Sequence, residues 1–476
     1  MTRIGSIFAG LAAGAIAGCA LTTPPAHDEI VREALPKGTG IPPAWKADPV
    51  AGAVTDGWLK SFDDPQLDGI VAEAIANNLD LRQAAERVRI AQQAVVVVGS
   101  QLVPQVAARL GGRVTQDENN GNFATTLGYV GVAWEIDVWG RLRAQRAAAE
   151  AGYEATALDY AYARQSLAAT VAKLWVLTVE TRQLLALAEQ SVAVYGELLA
   201  LVKIRRAAGK DSDLDVVDVR ANVESAQSAL EAAREAYGEA RRPLEVLLGR
   251  YPAAEIETAA NFAPLPPFAG AGLPASLLER RPDLVAAERE VLAAFRQQEA
   301  AKLALLPDFS IAVAGGRLGD QLLSVLHLNP WLASAAIGVS IPIYEGGALR
   351  AKVEIATAQQ ARAVAHYGAV ALAAFREVEN ALANEQLLAK RLPFETRALA
   401  DRTAAVQIAT VQYKAGRQDL LWVSNLQTGQ INTEAALIKL RSLQRINRVQ
   451  LHLALGSSFD ATPVALQGRS FFASGQ

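Results

Sequence analysis

Of the 476 residues, one is cysteine and one is methionine, and the 4 histidines (His27, His327, His366, His452) are scattered. A lone cysteine cannot close an internal disulfide, and a thiolate-rich zinc site is excluded with it. No His-Glu-x-x-His spacing occurs, and Gly209-Lys210-Asp211 lacks the preceding glycine and the following Ser/Thr of a phosphate loop. Neither a metal, a cofactor nor a catalytic centre is therefore expected. An excess of one charge is missing too: 46 Lys+Arg stand against 49 Asp+Glu, for a formal net charge of −3. That balance offers nucleic acid no polycationic surface. Beyond the N-terminal region there is no run of about 18 uncharged apolar residues, the length a transmembrane helix requires. A mature chain that crosses a membrane would then do so as β-strands in a closed barrel.

What is present begins at the N-terminus. Arg3 precedes an apolar stretch, Ile4 to Ile16, that ends in Ile16-Ala17-Gly18-Cys19. The stretch is short for a membrane span and closes in small residues, as a secretory signal does. Residues 1–18 read as a signal peptide and Cys19 as the acylated first residue of a lipoprotein. By resemblance to bacterial lipoproteins, Ala20 in place of Asp permits transfer to the outer membrane.

The remainder is a duplicated unit. Asn78-Leu79-Asp80-Leu81 opens a helical pattern ending at Pro104, and Arg281-Pro282-Asp283-Leu284 opens another ending at Pro307, with 104 − 80 = 24 and 307 − 283 = 24. Gly140 and Gly209 are separated as Gly347 and Gly416 are, 209 − 140 = 69 and 416 − 347 = 69. Gly249 and Gly456 follow at 249 − 209 = 40 and 456 − 416 = 40. Each copy reads as helix, two strands, very long helix, turn, long helix. Arg141 to Ala208 is dense in good helix formers. Leu174, Leu177, Leu184, Ala188, Val192, Tyr195, Leu199 and Val202 predict its buried stripe. At about 1.5 Å per residue such a helix approaches 100 Å and needs equally long partners. The return helices, Asp211 to Leu248 and Gln418 to Leu455, supply some of them.

The strand windows are 105–138 and 308–343. Val106, Ala108, Leu110 and Val114 alternate with Arg109, Arg113 and Thr115, and Ala333, Ala335, Ile337, Val339 and Ile341 alternate with Ser334, Gly338 and Ser340. Strands of this length and alternation suit a membrane barrel, and a soluble sheet alternates similarly. Four strands cannot close a barrel, so a membrane role demands pooling between subunits. The divisions expected are a lipidated segment 19–65, a first repeat 66–250, a Pro-rich linker 251–280, a second repeat 281–456 and a tail 457–476. The three irregular stretches, Leu21 to Pro65, Tyr251 to Pro282 and Ser457 to Gln476, are expected to pack around the waist of the helical array.

Trp58-Leu59-Lys60-Ser61-Phe62-Asp63-Asp64-Pro65-Gln66-Leu67, then Asn78-Leu79-Asp80-Leu81, resembles the opening of TolC-like outer-membrane efflux lipoproteins. Trp134-Glu135-Ile136-Asp137-Val138-Trp139-Gly140-Arg141 is similar to that family's strand-to-helix junction, and Arg281-Pro282-Asp283-Leu284 and Ile341-Pro342-Ile343-Tyr344-Glu345-Gly346-Gly347 to its second-half signatures. The resemblance implies a mainly α fold with a transmembrane β-barrel portion. Long coiled-coil-like helices form an α-barrel tunnel, and a homotrimer pools its strands into one twelve-stranded barrel. It further implies an exit duct for an efflux pump, working with a periplasmic adaptor protein and an inner-membrane RND-type transporter. A type I secretion duct and a non-conducting lipid-anchored spacer remain the alternatives. The family narrows its periplasmic tip after a Tyr-x-x-Gly turn, which is Tyr413-Lys414-Ala415-Gly416 here. Asp419, Leu421 and Asn425 are accordingly the candidate pore-tip residues, although ordinary helix-turn polarity accounts for the same side chains. Relatives typically carry Asp where Asn425 stands, and some carry Arg where Thr428 stands, so a weaker resting closure is expected. Asp211, Asp213, Asp215 and Asp218, with Asp419, predict an acidic, cation-favouring mouth.

Overall fold

The computed structural model describes residues 21–47, 52–117, 121–268, 270–319 and 331–461. Helices α1 (His27–Ala34), α2 (Trp58–Ser61) and α3 (Pro65–Asn77) come first. The first copy of the repeat then runs α4 (Leu79–Gly99), β1 (Gln105–Asp117), β2 (Gly121–Ile136), α5 (Arg141–Ala207) and α6 (Asp213–Leu247). After a short α7 (Leu277–Arg280), the second copy runs α8 (Pro282–Leu303), β3 (Asp308–Gly319), β4 (Leu332–Ser340), α9 (Ala348–Lys414) and α10 (Leu420–Ala454). Helices α5 and α9 are each 67 residues long, and α6 and α10 are each 35. The duplication read from glycine spacing is thus a duplication of elements.

Those glycines end the helices. Gly209 and Gly416 have φ of 67° and 74°, and Gly249 and Gly456 have φ of 73° and 67°. In each case the glycine N–H and the next residue's N–H turn back onto the last helical carbonyls, as in Gly209 to Arg206 at 2.9 Å and Lys210 to Arg205 at 2.9 Å. This double bond pattern requires a left-handed residue just past the helix, where glycine alone has no Cβ penalty. Gly140 and Gly347, with φ of 87° and 88°, hold the same conformation where α5 and α9 begin.

Two compact units emerge. The first comprises Met1–Thr39, Glu86–Leu158 and Val285–Val370. It holds one antiparallel sheet in the order β1-β2-β3-β4, in which β2 pairs with β3 and so joins the two repeats. Helix α1 lies in a stretch whose Pro, Gly and small polar residues suggest irregular structure, and its N-cap position is Ala26, which has no capping side chain. Its Ala26 N–H is met instead by Glu29 at 3.1 Å, and Ile30 packs with Ala287, Val291, Val364 and Tyr367.

The second unit comprises Gly40–Ala85, Asp159–Leu284 and Ala371–Gln476. Trp58, Phe62, Leu67 and Val71 pack there against Ala168, Ala172, Trp175 and Val179 of α5, Leu244 of α6 and Val449 of α10. Each large side chain so buried contributes about 1.5–3 kcal/mol. This packing corrects the expected stripe: Leu174 and Leu177 are half-buried, while Ala168, Ala169, Val171, Ala172, Trp175, Val176 and Val179 are buried. The middle of α5 is enclosed on more than one side, which a single stripe does not describe. A second correction concerns span length, since an 18-residue window of α5 reaches a mean hydropathy of 1.4 and is by length and composition apolar enough to cross a membrane. Its apolarity comes from the Ala, Leu and Val of a helix that packs against protein, and the strands carry the membrane argument below.

Candidate functional site

The sheet sorts its side chains by face. Residues opposite one another in register share a face, so Val106, Val132, Val313 and Ala335 lie together, as do Trp134, Ile311 and Ile337. That face continues through Ala108, Leu110, Val130, Phe309 and Val339. Among the side chains described it is apolar apart from Thr126 and Arg317, the latter at the level of Leu110. Among the described residues nothing covers it: Leu110 is 69% exposed and Ile337 82%. The opposite face carries Gln105, Arg109, Arg113, Glu135, Asp308, Ser310, Ser334 and Ser340, with Tyr129, Leu127, Leu332 and several small residues between them. The outer edges of β1 and β4 have no strand partner among the described residues. An uncovered apolar face with two open edges is untenable in water.

A capped junction joins this sheet to α5. Asp137 accepts the backbone N–H groups of Leu142 and Arg143, both at 3.0 Å, and the Arg143 guanidinium at 3.1 Å. Two otherwise unpaired donors at a helix N-terminus are satisfied by one carboxylate. Arg141 pairs with Glu135 at 2.6 Å. Trp134 and Trp139 donate their indole N–H groups to the carbonyls of Leu102 and Pro307, at 3.0 and 2.7 Å. Indoles with one wet and one apolar side are typical of a membrane boundary. Cys19 lies outside the described residues. Leu21 rests against Gly140, its Cδ2 only 3.1 Å from where a Cβ would stand. Thr22 donates from its backbone N–H and its hydroxyl to Glu299, at 2.6 and 2.7 Å. Burial would raise the Glu299 pKa, but these bonds and Arg296 outweigh it and the value is lowered.

In the second unit the two hairpin turns are built alike and charged differently. Ser212 caps α6 in a reciprocal box with Asp215, and Asp419 caps α10 by accepting the Trp422 N–H at 2.9 Å. Asp419, Leu421 and Asn425 are all exposed beside this cap, and Leu421 and Asn425 are one turn apart on one helix face. In the acidic first-repeat turn Asp213 is exposed, while Asp211 is withdrawn from solvent. The Asp211 side chain is only 6% exposed, accepting the Arg205 Nε–H at 3.0 Å and the Tyr413 hydroxyl, while the Arg205 guanidinium lies 4.4 Å from the Tyr413 ring centroid. Asp213 pairs with Arg206 at 2.6 Å. Burial and the Asp211 carboxylate both raise the Tyr413 pKa. Thr428, where some relatives carry Arg, instead bonds the Tyr195 hydroxyl at 2.8 Å.

The profile described as outer membrane efflux protein matches residues 70–250 and 273–457. The chain belongs to this family. It is 30% identical over 460 residues to the pyoverdine export outer membrane protein OpmQ of Pseudomonas putida, covering 93% of this chain and 95% of that one. With the cation efflux system protein CusC of Escherichia coli it shares 27% over 408 residues, covering 84% and 88%. Among solved structures, CusC superposes with a TM-score of 0.78 at 25% identity, covering 88% of this chain and 97% of that chain. The outer-membrane channel OprN superposes at 0.82 and 24% identity, covering 90% and 99%, a likeness of fold. The family is one of outer-membrane efflux channels, not of enzymes, and its fold is the TolC-like duplicated one described above.

Family membership also makes sense of residues that sequence reasoning left aside. Arg281 is buried, with Asp283 at 2.7 Å, Glu377 at 2.7 Å and the Ala454 carbonyl at 3.2 Å. Burial opposes its charge, but the Asp283 bonds prevail and hold its pKa above the ordinary value. Glu245, also buried, accepts the N–H groups of Ala254, Glu255 and Ile256 at 2.7, 2.6 and 3.0 Å. Arg445 grips the Ala263 carbonyl at 2.6 Å, and Arg448 the Pro266 carbonyl. The Pro-rich connector between repeats has no helix ladder, so side chains from the helices bind its backbone.

Proposed function

We propose that three copies of this chain pool their sheets into one barrel and form the outer-membrane exit duct of a tripartite efflux pump. The observation that carries the reading is the sheet itself, with one apolar and uncovered face, one polar face, and free edges on β1 and β4. Pairing each β4 edge with the next copy's β1 edge leaves no unsatisfied backbone in lipid, and a threefold axis closes the ring. Cys19 carries the lipid anchor in this reading, and Leu21 and Thr22 hold the following segment at the sheet-to-helix junction. The partners are a periplasmic adaptor and an inner-membrane RND-type transporter. Exposed Leu214, Val217, Leu421 and Trp422 at the hairpin turns give such partners or neighbouring copies apolar contact area. Asp419, Leu421 and Asn425 line the periplasmic aperture. The named relatives export pyoverdine or cations, so no one substrate carries over from them.

Native mass spectrometry of membrane-extracted protein tests assembly and anchor together. The expected species contains three chains, each beginning at residue 19 with acyl groups attached. Monomers at all concentrations would contradict the pooled barrel, and an unmodified N-terminus would contradict the anchor.

A further inference from the structure

The polar face of the sheet is not neutral along its length. Arg109 stands opposite Tyr129 and Arg113 opposite Thr125, both on β1 and both on the face away from the apolar one. Both arginines are exposed, and no ion pair engages either among the described residues. Among the side chains described, the acids of that face are Glu135 and Asp308, which lie at the helix-proximal end of the strands, and Glu135 is already paired with Arg141 at 2.6 Å. From Glu135 to Tyr129, the level of Arg109, is 135 − 129 = 6 residues, or about 20 Å at roughly 3.4 Å per residue. That exceeds the Debye length of about 8 Å at physiological ionic strength, so Glu135 does not cancel the Arg109 charge. On that face Arg109 has Tyr129 directly across and Leu127 diagonal to it, while the farther strands carry small residues, among them Ala312, Ala314, Ser334 and Gly338.

We propose that Arg109 and Arg113 form a basic collar inside the membrane portion of the duct, which favours anionic solutes over cationic ones. The inference rests on the pooled-barrel reading above. An arginine facing lipid near the midplane costs about 2–4 kcal/mol, whereas one facing a water-filled lumen costs little. The face formed by Val106, Leu110, Val130, Val313 and Ile337 is the apolar one and turns to lipid, so the face bearing both arginines looks inward, and threefold repetition turns each into a ring. The two rings are 113 − 109 = 4 residues apart along β1, about 14 Å. Rings of one sign in a low-dielectric wall concentrate the opposite ion, which is how charged channels select.

Reversal potentials under a KCl gradient in planar bilayers test the collar, comparing wild type with the Arg109→Gln/Arg113→Gln double variant. At about 0.1 M salt the variant should raise the K⁺/Cl⁻ permeability ratio by about two-fold or more, and the difference should shrink at about 1 M as screening shortens. The charge-preserving Arg109→Lys/Arg113→Lys variant should keep the wild-type ratio. Conducting channels with an unchanged ratio in the glutamine variant would overturn the collar and leave the duct standing. An equal shift in the lysine variant would also overturn it, by assigning the effect to disturbed structure. Wild-type protein that inserts without conducting would remove the duct reading itself, and the collar with it.

Discussion

At Asp419 the carboxylate accepts the Trp422 N–H at 2.9 Å and still faces solvent, so capping α10 and lining an aperture are compatible. Asn caps a helix about as well as Asp, which makes Asp419→Asn a clean separation of the two roles. Stability should fall by only about 0.3–1 kcal/mol, the lost attraction to the helix N-terminus. If the residue lines the pore, bilayer recordings should show reduced cation preference, and unchanged selectivity would remove it from the aperture. Glu245 gives a pH signature. Burial pushes its pKa up, but three backbone N–H groups hold it below the ordinary 4.5. Its stabilisation is therefore complete above the unfolded value and is lost as pH falls through the lower folded value. Glu245→Gln should be less stable near neutral pH by about 1–3 kcal/mol, and the two melting curves should converge on acidification. A gap that stays constant down to low pH would contradict this. Of these residues, Asp419 stood out beforehand because it follows a recognisable turn, whereas Glu245 did not, because its partners are backbone N–H groups of the connector, which leave no side-chain pattern.

The matched intervals between glycines were legible at the element scale because each glycine ends or begins a helix with positive φ, a conformation that sequence cannot substitute freely. Strand faces were legible for the same kind of reason, since period-2 alternation is the geometry of the strand. Helix α1 was not, for it lacks a capping side chain, and the buried face of α5 was blurred by alanines that pack on several sides. The register sharpens a test of the sheet. Ile337 pairs with Ile311 on the apolar face and Ser340 with Asp308 on the polar one. Ile337→Arg should cost about 2–4 kcal/mol and impair membrane assembly, while Ser340→Arg should assemble nearly normally. Equal defects in heat-modifiable trimer yield would indicate a sheet buried on both sides.

Over the whole molecule, one chain offers half-finished surfaces: a sheet with two free edges, an apolar face without cover, and apolar side chains exposed at its hairpin turns. The need for partners was legible from four strands being too few to close a barrel. Their number and identity were not, because an edge strand specifies pairing and leaves stoichiometry to the angle at which copies close. All of this depends on a continuous passage through the assembled protein. Purified protein reconstituted into planar bilayers should insert in discrete steps of constant conductance, with wild-type and Cys19→Ser protein giving the same unit step. Protein that binds the bilayer and yields no unit conductance at any voltage would contradict the account.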